Sequence, residues 1–144
     1  MWEAIECANH HPRVNIHLPG PGVGGHCIAI DPWFIIDRAE EESKLVSLSR
    51  QINESTPYEV ARLIEQQLEG IQNPTVAILG LAFKGNIDDM RESPSLTIIG
   101  ALQEKNITCK IYDPHVTEHV DGKVSTLEEA ATDSDCLVIL TDHD

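Results

Sequence analysis

Positive charge is scarce in this chain. Ten Lys and Arg residues stand against 24 Asp and Glu, which leaves a formal net charge of -14 at pH 7. Surfaces that bind nucleic acids need an excess of Lys and Arg, so this balance argues against DNA or RNA as a partner. A nucleotide ligand needs only a few local donors and stays compatible with the composition.

Long apolar runs are also missing. No run approaches the length that a membrane-spanning helix needs, although 41% of the residues are hydrophobic and fit a globular domain with a real core. Residues 1–6 lack the basic start and apolar stretch of a signal peptide. We therefore expect a cytoplasmic protein with no membrane partner.

Paired cysteines and zinc-type spacings are absent too. The four cysteines form no C-x-x-C pair and no disulfide-scaffold spacing, which indicates reduced thiols. Four of the 7 His lie near Cys27, but their spacing matches no zinc pattern, so we expect no metal. The cysteines are Cys7, Cys27, Cys109 and Cys136.

Glycine is concentrated in one stretch, from Leu18 to Pro32, which holds four of the 9 Gly and three of the 8 Pro. Glycine lets the backbone approach a ligand closely, and free N–H groups of such a loop can stabilise an oxyanion. We predict that Cys27 is a catalytic nucleophile, with Asp31 in reach if a helical turn follows it. The alternative is an inert, buried thiol beside an ordinary turn. No strand precedes the glycines, so they are not a dinucleotide fingerprint.

Helical patterns dominate the first part of the chain. Residues 2–9 resemble the end of a helix, residues 14–18 an extended segment, and Asp31-Pro32 the start of another helix. The apolar patch Trp33–Ile36 is expected to join a core. Residues 40–70 are predicted as two helices, the second opening at Thr56-Pro57 and ending at Gly70.

Beyond a composition change at residues 71–74, the pattern becomes α/β. Continuous apolar runs predict buried strands at 75–79 and 136–140, and a further strand is predicted at 107–112. Helices are predicted between them, one from Ser93-Pro94 to about Lys105 and a short one capped by Thr126 and Glu129. This order predicts a Rossmann-like parallel α/β sheet domain behind a helical segment with a glycine-rich catalytic loop.

Ligands of parallel sheets bind beyond the carboxyl ends of the strands. The segment after the first strand, Gly80–Ser93, carries Phe83, Lys84 and Arg91, which could hold a phosphate or nucleotide. The alternative is a loop whose cations pair with its own acids, Asp88, Asp89 and Glu92.

Two long motifs, PGPGVGGHC..DPWF (19–34) and LGLAFKGNIDDMRESP (79–94), resemble the NAD-dependent nucleotide-sugar 6-dehydrogenases, the UDP-glucose/GDP-mannose dehydrogenase family. Tyr112-Asp113-Pro114 and residues 139–143 support the resemblance. It implies a four-electron oxidation of a sugar C6 alcohol to a carboxylate with two NAD. Cys27 would form a thiohemiacetal and then a thioester, and Asp31 would handle protons or orient water during hydrolysis.

The resemblance also implies binding residues and a homodimer formed through the helical region. Arg13 matches an arginine that reaches substrate across that interface. The residues implied to bind substrate are Arg13, Leu18, Pro19, Gly20, Pro21, Gly22, Val23, Gly24, Phe83 and Lys84. Those implied to bind NAD are Cys27, Ile28, Ala29, Ile30 and Arg91.

In this family an NAD-binding domain comes before the central helical region. We therefore expect residues 1–70 to be the end of that region and 71–144 a C-terminal UDP-sugar-binding domain, a fragment with no turnover alone. The wording of the motifs favours UDP-N-acetylmannosamine as the substrate over UDP-glucose, UDP-N-acetylglucosamine or GDP-mannose. A non-catalytic nucleotide-binding or dimerisation module stays open, whereas a thiol hydrolase is disfavoured because no Cys-His-Asn signature surrounds Cys27.

Overall fold

The structure is a computed structural model that describes residues 1–14, 16 and 18–144. None of the helices in this part of the chain is long and apolar enough to cross a membrane. In chain order, the elements are α1 (Trp2–Ala8), α2 (Asp31–Arg38), α3 (Lys44–Gln67), β1 (Thr75–Leu79), α4 (Pro94–Glu104), β2 (Thr108–Tyr112), α5 (Leu127–Ala131) and β3 (Cys136–Ile139).

The three strands form one parallel sheet in the order β2-β1-β3. Ile78 of β1 lies opposite Ile111 of β2 and Val138 of β3. Parallel strands need crossover connections, and here α4 and α5 lie in those connections. The predicted parallel α/β class is confirmed.

The core lies around β1, α4 and the second half of α3. Ile78, Leu81, Ile98, Leu102 and Ile111 are fully buried in it. α4 begins where predicted, because the Ser93 hydroxyl accepts a hydrogen bond from the Ser95 N–H at 3.3 Å and Pro94 fits the first turn. The predicted cap of α5 is also present, with Thr126 Oγ1 accepting from the Glu129 N–H at 3.1 Å.

The predicted helix start at Thr56-Pro57 is wrong, because α3 continues unbroken through Pro57. A proline inside a helix costs about 3 kcal/mol, since it removes one N–H donor and crowds the preceding turn. Here Pro57, Ala61 and Ile64 form a buried stripe, and α3 packs against α4. This packing offsets the local cost, and Thr56 Oγ1 donates to the Ile52 carbonyl at 2.8 Å instead of capping a new helix.

The prediction that Trp33–Ile36 joins a core is also wrong. Phe34 is 67% exposed, and α1 and α2 contain no buried residue. The first half of α3 likewise turns apolar residues to solvent. The exposed apolar side chains of α2 and α3 include Trp33, Phe34, Ile35, Leu45, Leu48 and Ile52.

β3 forms as predicted but is not buried on both faces. It pairs with β1 on one side only, and its residues alternate between half-buried and exposed. Leu137 and Ile139 are exposed. The expected extended segment at 14–18 includes Asn15 and His17, so this prediction lies outside the described residues.

Candidate active site

The glycine loop, residues 18–27, lies against α3 on one side and against the β1–α4 loop, residues 80–93, on the other. On the α3 side, Asn53 Oδ1 accepts a hydrogen bond from the Val23 N–H at 2.8 Å. Asn53 Nδ2 donates to the Val23 carbonyl at 3.1 Å. One side chain therefore holds both main-chain groups of Val23.

On the side of the β1–α4 loop, two glycines are required by close packing. A Cβ atom on Gly24 would lie 2.3 Å from the Glu92 carbonyl oxygen, and one on Gly25 would lie 2.9 Å from Cε2 of Phe83. Gly20 differs, since a Cβ there would meet nothing within 4 Å. Gly24 and Gly25 are thus required for packing within the protein, whereas the position of Gly20 is open to a ligand.

Cys27 is exposed and ends the glycine loop. Its carbonyl accepts hydrogen bonds from the N–H groups of Ile30 at 3.0 Å and Asp31 at 2.8 Å. A helical turn therefore follows Cys27, which is the condition under which the sequence placed Asp31 within reach, and Asp31 begins α2 one turn later. Ile28 and Ile30 are exposed beside the thiol, whereas Ala29 is buried.

A cation from the β1–α4 loop approaches this turn. Arg91 Nη2 lies 3.5 Å from His26 Nδ1, next to Cys27. Asp89 holds the guanidinium in two places, with Oδ1 at 2.9 Å from Nε and Oδ2 at 2.6 Å from Nη2. These side-chain hydrogen bonds, with the Arg91 backbone N–H, lower the pKa of Asp89 to about 2. The same pairing raises the pKa of Arg91.

The β1–α4 loop is anchored at its start by Asp113, which follows β2. Its Oδ2 accepts from the N–H groups of Leu81 at 2.7 Å and Ala82 at 3.1 Å. Its Oδ1 accepts from those of His115 at 2.8 Å and Val116 at 3.0 Å. Burial by itself would raise the pKa of Asp113, but the four backbone donors outweigh it and lower this pKa below its usual range.

His143 anchors the same loop at Asn86. The ring lies with Nε2 3.0 Å from Asp113 Oδ2, and Nδ1 accepts from the Asn86 N–H at 2.9 Å. Because Nδ1 accepts, the ring proton is assigned to Nε2. Phe83 and Lys84 lie between the two anchored points. Lys84 is exposed and forms no ion pair within the described residues.

The remaining predicted residues lie at the surface or along the glycine loop. Arg13 is exposed in the turn after α1, where its N–H donates to His11 Nδ1 at 3.3 Å. Leu18, Pro19 and Gly20 are exposed. A cleft of about 490 Å³ is lined by Leu18 and by residues in and just after α1, and it does not include the Cys27 turn. Pro21, Gly22 and Val23 are half-buried and Gly24 is buried.

The structure thus brings the β1–α4 loop, which carries Phe83, Lys84 and Arg91, against the glycine loop that ends at Cys27. Phe83 lies against Gly25, and Arg91 approaches His26. Asn53, Asp113 and His143 were not predicted as site residues. Asp113 and His143 stand in motifs that carry the family resemblance, so a signal existed for them. Asn53 has no such signal. No three His, Cys, Asp or Glu side chains in residues 1–14, 16 and 18–144 form a group that could hold a metal ion.

Sequence comparison places both parts of the chain in one family. Residues 1–55 match the central domain of the UDP-glucose/GDP-mannose dehydrogenase family, and residues 77–144 match its UDP binding domain. The chain belongs to this family. Among the nucleotide-sugar dehydrogenases, it is 48% identical to UDP-N-acetyl-D-mannosamine dehydrogenase of Methanococcus vannielii over 99% of the chain and 34% of that relative.

It is 42% identical to an NDP-N-acetyl-D-galactosaminuronic acid dehydrogenase of Ralstonia solanacearum, over 99% of the chain and 35% of that relative. Among solved structures, UDP-D-ManNAc dehydrogenase from Pyrococcus horikoshii matches with a TM-score of 0.82 and 41% identity, over 99% of this chain and 34% of that one. A UDP-glucose dehydrogenase from Pyrobaculum islandicum matches with a TM-score of 0.84 and 27% identity, over 99% of this chain and 36% of that one. The chain spans about a third of the length of the curated relatives it matches.

Proposed function

We propose that this chain is part of an NAD-dependent 6-dehydrogenase that oxidises UDP-N-acetyl-D-mannosamine to UDP-N-acetyl-D-mannosaminuronate. The observation that carries the proposal is an exposed thiol, Cys27, at the end of a glycine loop packed against the β1–α4 loop of a UDP binding domain. The resemblance of the chain to UDP-N-acetyl-D-mannosamine dehydrogenases favours this sugar.

Cys27 supplies the covalent chemistry in this proposal. Once the C6 alcohol has lost hydride and a proton to become the aldehyde, the Cys27 thiol adds across the carbonyl: sulfur bonds to C6 and a proton passes to the oxygen, which forms a thiohemiacetal. The thiohemiacetal then loses the C6 hydride and its hydroxyl proton to become a thioester. Water then cleaves the thioester to the carboxylate and frees the thiol. Asp31, one turn beyond Cys27, orients this water or takes up its proton.

The residues beside Cys27 fit a nicotinamide dinucleotide. Ile28 and Ile30 offer exposed apolar surface next to the thiol, and the Arg91 guanidinium brings a cation that suits a phosphate. NAD, when bound, supplies the hydride acceptor for both oxidations. Asp89 keeps the guanidinium in this place.

The nucleotide-sugar site is proposed between the glycine loop and Lys84. The exposed ammonium of Lys84 suits a diphosphate, and its loop is held by Asp113 and His143. Gly20, where no protein atom crowds a Cβ position, is where a ligand can approach the backbone. Residues 71–144 are then the UDP-sugar domain and 1–70 the helical part with the catalytic loop.

We also propose a homodimer formed through the helical part. Its support is the exposed apolar surface of α2 and α3, including Trp33, Phe34, Leu48 and Ile52. Burial of such surface is the main favourable contribution to association. Leu48→Glu should lower the sedimentation coefficient to that of a monomer, whereas Leu137→Glu on β3 should not. The cytoplasmic location stays a prediction, which cell fractionation would check.

The test of the proposed site is competitive thiol alkylation with iodoacetamide, read by mass spectrometry. UDP-N-acetylmannosamine should slow alkylation of Cys27 and leave Cys7, the other exposed cysteine, unchanged. Burial raises the pKa of Cys109 to about 11, so this thiol should stay unmodified. Protection by UDP-glucose or GDP-mannose instead would indicate a sibling enzyme.

Calorimetry completes this test. Lys84→Ala should weaken binding of UDP, while Lys110→Ala, on β2 outside the site, should not. UDP binding without any change at Cys27 would support the alternative, a nucleotide-binding module without chemistry. We expect no NADH production by this polypeptide alone.

A further inference from the structure

We infer that Asn53 of α3 is a positioning residue for Cys27, acting through the main chain of Val23. This inference rests on the proposed function, in which the glycine loop presents Cys27 to the sugar. Asn53 touches neither Cys27 nor the reacting atoms in this assignment. Its task is to fix the loop four residues before the thiol.

The contact is specific to a carboxamide. Asn53 accepts from the Val23 N–H at 2.8 Å and donates to the Val23 carbonyl at 3.1 Å. A carboxamide carries an acceptor and a neutral donor side by side on one planar group, and Gln, the other side chain with this group, is longer by a methylene. Aspartate can keep the first hydrogen bond but cannot make the second.

The main-chain carbonyl of Asn53 also lies close to the glycine loop. Since Pro57 has no N–H, the Asn53 carbonyl lacks its usual helical donor four residues on. That carbonyl oxygen lies 3.5 Å from the position that a Cβ of Gly22 would occupy. Gly22 has a φ of +137°, which only glycine adopts readily, so the loop passes close to this turn of α3.

The opposite side of the loop is held differently. Gly24 and Gly25 rest on Glu92 and Phe83 by close packing. Without Asn53, the loop keeps this contact with the β1–α4 loop but loses its hydrogen bonds to α3. The Cys27 turn would then vary in position while the UDP binding domain stays intact.

The experiment compares Asn53→Leu and Asn53→Asp with Gln66→Glu, an exposed amide-to-acid control on the same helix. Amide exchange of Val23 is measured by NMR, and the ratio of alkylation rates at Cys27 and Cys7 by mass spectrometry. We expect exchange of the Val23 N–H to be on the order of tenfold faster in Asn53→Leu, as one or two lost hydrogen bonds imply. Asn53→Asp should lie between.

UDP affinity separates positioning from general damage. In Asn53→Leu, the ratio of alkylation rates at Cys27 and Cys7 should change, and so should the protection of Cys27 by UDP-N-acetylmannosamine. The affinity for UDP and the urea midpoint of the sheet domain should stay the same. If Asn53→Leu fails to fold, Asn53→Asp carries the test. Unchanged Val23 exchange and an unchanged Cys27 ratio in the folded variants would overturn the inference.

A failure of the proposed function has a different signature. If UDP-N-acetylmannosamine never protects Cys27 in the unaltered chain, the proposed substrate site fails. Faster Val23 exchange in Asn53→Leu would still show that Asn53 holds the loop, but positioning for catalysis would then be overturned with the function.

Discussion

The helical part and the sheet part of this chain are held together by different means. Around the sheet, β1 and α4 bury apolar side chains such as Ile78, Ile98 and Leu102 completely. In the helical part, α1 and α2 bury none, and the glycine loop is fixed by hydrogen bonds and by close contact with neighbours. In the proposed function Cys27 must meet substrate and therefore needs exposure, so the support of its loop has to come from other segments of the chain.

The two loops of the proposed site are also anchored in different ways. The β1–α4 loop is anchored by a buried carboxylate and a histidine that belong to the sheet part. The glycine loop depends on both parts, through Asn53 on α3 and through Phe83 and Glu92. A change in the contact between the two parts should therefore disturb the proposed active site more than it disturbs the fold of either part.

The largest difference is expected between core truncations in the two parts. Ile78→Ala removes a fully buried side chain from the central strand and should cost about 2–5 kcal/mol of unfolding free energy. Phe34→Ala, at a residue that is 67% exposed in the single chain, should cost less than about 0.5 kcal/mol in the monomeric Leu48→Glu background, where the proposed dimer surface is uncovered. Urea unfolding measures both, and similar values would remove the contrast between the parts.

The next largest effect is expected for Asp113→Asn, which should lower the free energy of unfolding by about 3 kcal/mol. The reason is that four backbone donors lose a charged acceptor. The effect depends on pH. Since the folded protein lowers the pKa of Asp113, its stabilisation is complete above the unfolded pKa near 3.9 and is lost as pH falls towards the folded value. Urea midpoints at pH 7 and pH 3 should differ less in Asp113→Asn; an unchanged pH dependence would contradict this.

The next largest difference in stability is expected between two alanine substitutions in the glycine loop. Gly24→Ala places a Cβ 2.3 Å from the Glu92 carbonyl, and forcing the two loops apart should cost about 1–3 kcal/mol. Gly20→Ala meets nothing within 4 Å and should leave stability unchanged. If Gly20 faces the ligand, its substitution should weaken UDP-sugar binding by calorimetry instead. Equal unfolding curves for the two variants would show that the loops can separate freely.

The smallest effect on stability is expected for Asp89→Asn. In its ion pair with Arg91, the guanidinium side chain is 66% exposed and the carboxylate side chain 21%, so solvent reaches the pair and its contribution is small. The urea midpoint should not shift, but the Arg91 side chain should lose its fixed orientation near His26. NMR of the Arg91 side chain would detect this, with Glu59→Gln, which removes the exposed pair with Arg62, as the control. A stability loss in Asp89→Asn as large as that of Gly24→Ala would contradict the expectation that this ion pair contributes little to the free energy of unfolding.

The sequence predicted the sheet part well because its signals are local. A continuous apolar run marked β1, and Ser93-Pro94 and Thr126 marked the starts of α4 and α5. The error at Pro57 has the opposite origin. A local helix-start signal was overridden by packing of α3 against α4, which lies far along the chain.

The errors at Trp33–Ile36 and in β3 share another cause. Apolar periodicity shows that a face is apolar but not whether the chain itself covers it. For the site, the motifs pointed to Cys27, Lys84 and Arg91. They could not point to Asn53, whose contact with Val23 is made to the main chain and leaves no pattern in the sequence.

The contact of Gly24 and Gly25 with the β1–α4 loop also bears on the order of folding. These glycines meet Glu92 and Phe83, which are distant in sequence, and contacts between distant residues form late because closing a long loop costs entropy. Strand β1 must be in place before the loop behind it can receive the glycines. We therefore expect Cys27 to reach its native surroundings only after the sheet has formed, so that the environment of this thiol is completed at the end of refolding.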